Sequence, residues 1–136
     1  MMQVIDLGIC GSSDIYPECV RKALRVSCLI SLHKVPSKER RLYLVSLGRE
    51  ASTGEVEVEL NRRGLRASGL ESLLAAFIAG ACDDYEYVIA LGSRCEIRGK
   101  SYAPRIRTCG GKRDLRLWPV GAGWCSQSFF LAEKLG

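Results

Sequence analysis

Apolar and polar positions change period several times along this chain, and each change predicts an element. Val4, Ile5, Leu7 and Ile9 form a short apolar run that ends in Gly8-Ile9-Cys10-Gly11-Ser12-Ser13-Asp14, as a buried strand over 4–9 entering a turn would. A helix should follow. Ser13 or Asp14 supplies its cap, Pro17 a preset backbone angle in the first turn, and Cys19, Val20, Ala23, Leu24 and Cys28 one apolar face. Its end is ambiguous, since Val26, Cys28, Ile30 and Leu32 also alternate like a strand before Pro36 closes the segment. Alternation over 42–47 and again over 55–60, around a loop at 49–54, predicts a hairpin whose second strand has a glutamate face and an apolar face. Residues 61–67 read as a polar link.

Ser68-Gly69-Leu70-Glu71 has capping-box spacing, and Leu70, Leu73, Leu74, Phe77, Ile78 and Ala81 continue it as the apolar stripe of a sheet-covering helix. Asp83-Asp84 should end it, and 85–91 reads as a buried strand. Short extended stretches at 95–98, 105–109 and 115–117 follow, separated by Gly99, Gly110-Gly111 and Pro119, and the apolar segment 129–135 finishes the pattern as either a last strand or a short helix. The expected fold is α+β: a single domain over 1–136, with two helices packed on a mixed or antiparallel sheet in β-α-β-β-α-β order plus C-terminal strands.

The totals fit a soluble globular chain of 136 residues, 47% hydrophobic and 26% charged. No apolar run approaches the roughly 18 residues of a membrane span, and 1–6 lacks the zones of a secretory signal, so the expected location is cytoplasmic with no membrane partner. Seven cysteines, none at zinc-site spacing, are expected to pack in the core with one to three disulfide bridges. Abundant arginine and paired charges such as Glu39-Arg40-Arg41 lean toward a thermophile.

A net charge of +5 is mild, but its distribution is not. Arg94, Arg98, Lys100, Arg105, Arg107, Lys112, Arg113 and Arg116 crowd into 93–117 against only Glu96 and Asp114, which is the pattern that phosphate-backbone binding needs. Tyr102, Trp118 and Trp124 lie near these cations and can stack on unpaired bases or pack under a core edge. A second candidate is the turn after the first strand, where Gly11, Ser12 and Ser13 would offer amides and hydroxyls to an anion and lower the pKa of Cys10. His33, the sole histidine, fits a helix C-cap better than a proton-transfer role. Asp6, Asp83, Asp84 and Glu133 could bind a divalent ion if they converged.

Four stretches resemble archease, the small partner of the tRNA-splicing RNA ligase: Ile5-Asp6-Leu7-Gly8-Ile9, Lys34-Val35-Pro36-Ser37-Lys38-Glu39-Arg40, Leu70-Glu71-Ser72-Leu73-Leu74 and Gly123-Trp124 with its apolar tail. The family's opening His-Thr-Ala-Asp stands here as Gln3-Val4-Ile5-Asp6, so the resemblance implies a metal ligand at Asp6 alone. The functional expectation is an RNA-processing accessory or nucleic-acid-binding module with RNA, tRNA included, or an RNA-processing protein as partner. Two alternatives are a small enzyme taking a phosphorylated or acyl substrate at 10–13, and an assembly subunit, including a homo-oligomer, that pairs through an edge strand.

Overall fold

A computed structural model describes residues 2–10 and 40–135 of the chain. The helix expected after residue 13, the anion site at Gly11, Ser12 and Ser13, and His33 lie outside the described residues. Eight strands form one sheet: β1 (Gln3–Cys10), β2 (Arg40–Ser46), β3 (Leu65–Ala67), β4 (Tyr87–Ile89), β5 (Cys95–Ile97), β6 (Lys100–Cys109), β7 (Lys112–Pro119) and β8 (Ser128–Lys134). Two helices, α1 (Thr53–Arg62) and α2 (Leu70–Ile78), and a 3-10 turn at Val120–Ala122 are the other elements among the described residues. The class is α+β, dominated by the sheet.

The strand order is β1-β2-β8-β4-β6, with β3 completing the β8 edge that β4 occupies and β5 completing the β6 edge opposite β7. All these pairs are antiparallel except β4 with β8, which makes the sheet mixed. A bulge between Asp6 and Gly8 interrupts β1, where Gly8 takes φ +74° and donates its amide to Asp6 Oδ1 at 2.8 Å.

Alternation along the strands gives the sheet two apolar faces. Leu42, Leu44, Val88, Ile106, Leu115 and Leu131 point to one, and α2 covers them with Leu70, Leu73, Leu74 and Phe77. Val45, Ile89, Ala103 and Phe130 point to the other, under Val56 and Leu60 of α1 and Trp124. Helix α1 buries a single stripe, Val56 and Leu60, whereas α2 is buried on nearly all sides, with Glu71 exposed and Ile78 half-buried.

The hairpin expected over 42–60 is not formed, because 53–62 is helical. Glu-Val-Glu-Val-Glu-Leu satisfies a two-residue period, but Val56 and Leu60 also stand one helical turn apart, and Ser52 decides between them. Its hydroxyl accepts from the Glu55 amide while Glu55 accepts from the Ser52 amide, a closed capping box. Val58, on the opposite side, is 62% exposed. Part of the expected polar link, at 65–67, is β3.

The box expected at Ser68 is also absent. Ser68 continues the ladder of β3 by donating its amide to Leu131 and accepting from Gly92, so Gly69 becomes the N-cap, and the Ser93 hydroxyl accepts from the Leu70 amide at 2.7 Å. Gly92 permits that contact, since a Cβ there would lie 2.6 Å from the Ala67 carbonyl oxygen. Helix α2 stops at Ile78 rather than Ala81, ended by Gly80 at φ +76°.

Candidate nucleic-acid interface

Helix α1 is too short to cover the whole face beneath it, and the register shows where its cover ends. One row across the sheet runs Val45, Phe130, Ile89, Arg105, Arg116, changing from buried aliphatic and aromatic side chains to arginines between β4 and β6. The next row runs Ser128, Tyr87, Arg107, Asp114, and a third pairs Ala103 with Trp118. Tyr87, Arg105, Arg107, Asp114, Arg116 and Trp118 of these rows floor an open cleft of about 1080 Å³. Its walls are the N-terminal end of α1 with Glu50 and the 3-10 turn up to Cys125.

The wall is held from the sequence end as well as from the core. The Trp124 indole N–H donates to Thr53 Oγ1 at 2.9 Å, and that hydroxyl donates to the Val120 carbonyl at 2.7 Å. Ala51 and Trp124 exchange both backbone hydrogen bonds. Trp124 is therefore a buried structural residue, packed edge-on to Phe130 at 5.7 Å between ring centres, and not a base-stacking one.

On the floor, the Arg105 guanidinium lies between two rings, 3.7 Å from the centre of Trp118 and 4.5 Å from that of Tyr87. Partial burial draws its pKa below the ordinary arginine value, though it stays charged, and its buried Nε has no hydrogen-bond partner. Arg107 stands 5.8 Å from the Tyr87 ring. Arg116 is held by Asp114 beside it. A smaller depression, about 440 Å³, continues toward the β6–β7 turn and adds Lys112 and Cys109, sharing Arg107, Asp114 and Arg116 with the cleft. Among the described residues Arg105, Arg107 and Lys112 have no carboxylate partner within 4.0 Å.

Charge grades along this surface. Glu50 and Glu55 lie at the α1 end, and Glu55 is already engaged there, with the Ser52 amide foremost and Arg49 after it holding its carboxyl below the usual range. The cations dominate toward the β6–β7 turn.

The eight expected cations are thus divided. Arg105, Arg107, Lys112 and Arg116 share the open half-face by strand alternation. Arg113 points to the reverse face, over Phe77 at 4.6 Å and paired with Asp83 at 3.0 Å. Arg94 is bonded to Glu57 of α1 at 2.8 Å and to the Leu91 carbonyl. Arg98 and Lys100 belong to the tight β5–β6 turn, where Arg98 and Gly99 both take positive φ, and Lys100 is roughly 20 Å from Arg107 along β6.

The expected carboxylate cluster does not assemble. Asp6 hydrogen bonds to Arg41 and to the Gly8 amide, and these, Arg41 first, hold its carboxyl below the usual range. Asp83 pairs with Arg113 and Glu133 with Arg66 at 3.1 Å, so three different arginines take three of the four acids. No group of three metal-ligating side chains forms among the described residues, where Asp6 is paired with Arg41. Cys10 is 2% exposed and its thiol is pushed up by burial, the reverse of a nucleophile poised at a helix start. Cys10, Cys82, Cys109 and Cys125 are free thiols.

Tyr87 is the floor residue that sequence reasoning passed over. It lies inside the apolar run 85–91, and its role follows only from the row that it shares with Arg107.

No protein-family model, curated protein or solved structure matches this chain. No helix among the described residues is long and apolar enough to cross a membrane.

Proposed function

We propose that the chain is a nucleic-acid-binding module that takes RNA along the open half-face of its sheet. The observation that carries this reading is the placement of Arg105, Arg107 and Lys112, three cations without carboxylate partners, on one face of β6 and β7 along two adjoining depressions, the larger of them floored by Tyr87 and Trp118. The Arg105 guanidinium, drawn partly out of water, is costly unless an anion completes it, and its continuation by the exposed cations Arg107 and Lys112 suits a chain of phosphates better than a single one. The resemblance to archease adds tRNA to the probes worth using.

The test is the affinity of a fluorescent RNA oligonucleotide and of tRNA across a salt series. Four phosphate contacts on an unpaired strand give a slope of log affinity against log salt near −3, which is roughly a fiftyfold loss between about 50 and 200 mM salt. No association at the low end of the series, or a mononucleotide binding as tightly as the oligonucleotide, would remove the reading.

A further inference from the structure

We propose that the outer face of the Trp118 indole is where an unpaired base stacks, so that the cleft takes single-stranded RNA in preference to a duplex. The proposal rests on the RNA-binding reading above and adds what selects the strand.

Trp118 is prepared for such a contact. One face of its ring is occupied by the Arg105 guanidinium, which also lies over Tyr87, so the indole is held in place by contacts made before any ligand arrives. The residue directly opposite on β6 is Ala103, too small to reach over an indole. Trp118 is accordingly 37% exposed and makes no ring–ring contact among the described residues, whereas Trp124 is 4% exposed with its N–H already bonded. A large flat apolar surface left in water beside cations is favourable only if something flat and anionic covers it.

An unpaired nucleotide has both properties. Its base offers a π-face that stacks on an aromatic ring whatever its identity, and its phosphate meets Arg116, two positions away on the same face of β7. A duplex has spent its base faces on its own stacking and can present only backbone and groove edges to the cations. The stack therefore adds affinity for a single strand and none for a helix.

Three probes of about eight nucleotides separate these contributions: a single-stranded RNA, its duplex, and an abasic sugar–phosphate oligomer. Trp118→Ala should weaken the single strand by about 10- to 100-fold with the salt slope unchanged, and should leave the duplex and the abasic oligomer within about twofold. Trp118→Phe, which keeps a ring, should recover most of the loss. The single strand should quench wild-type tryptophan emission, and Trp118→Phe, which leaves only the buried Trp124, should abolish the quench. Equal losses for all three probes in Trp118→Ala, or no loss for any, would overturn the stacking role while leaving RNA binding in place. Failure of the wild type to bind any probe at low salt would instead overturn the RNA-binding reading, and this inference with it.

Discussion

Arg105 and Cys82 show two opposite ways of burying a titratable side chain. Arg105 keeps its charge and lies between two rings, with the open side of the cleft left for an anion. Cys82 keeps its proton instead. Burial first, and then neighbouring Asp83 and Cys10, push its thiol up to about 12 from an ordinary 9.0. A raised thiol pKa favours the fold as long as the unfolded thiol is also neutral, so this contribution is complete below pH 9 and is lost progressively between 9 and 12. Urea unfolding at pH 8 and near pH 10.5 should therefore show wild type losing about 2 kcal/mol more than Cys82→Ala over that interval. Parallel losses in the two proteins would mean that Cys82 ionises freely in the folded state.

At the scale of elements, single hydrogen bonds decide between periods that the apolar pattern leaves degenerate. Residues 55–60 satisfy a strand and a helix equally well, and the Ser52–Glu55 box is what makes them α1. Ser52→Ala should cost about 1 kcal/mol of stability in chemical denaturation, since the Glu55 amide loses its acceptor. An unchanged midpoint would show that burial of Val56 and Leu60 alone holds the helix. Strands β1, β2 and β4 and helix α2 were legible because each has an unambiguous apolar run or stripe, and in each the structure moves the boundaries by a few residues, whereas the closing apolar segment fits a strand or a short helix and only its pairing with β2 and β4 makes it β8. The box at Ser68 misled for a reason that spacing does not carry. Its backbone is claimed by Leu131 and Gly92 from distant parts of the chain, and Ser93, 23 residues away from Leu70, supplies the cap.

In the whole molecule, the crowding of cations in 93–117 was legible as composition, but their division was not. Which four share a face depends on the register of β6 with β7, and which are neutralised depends on carboxylates from α1 and from the segment after α2. This division makes a direct prediction. Arg107→Ala or Lys112→Ala should each weaken RNA binding and flatten the salt slope by about 0.7, while Arg98→Ala and Lys100→Ala at the far end of β6 should do neither. Equal effects from both pairs would point to diffuse attraction by net charge instead of a defined path. The outer edge of β7 has no strand partner among the described residues, and its charged side chains and terminal Pro119 discourage another strand from joining it.

Strand β8 comes last among the strands in sequence, yet it stands between β2 on one side and β3 and β4 on the other. The β6–β7 ribbon can zip from its own two-glycine turn, but it gains its connection to β2 only once β8 has entered the gap. During synthesis the earlier strands must wait, with both flanks of that gap unpaired, for the segment that joins them. The molecule should accordingly acquire its protection from hydrogen exchange in one late, concerted step, and a nascent chain halted before residue 128 should be a substrate for chaperones.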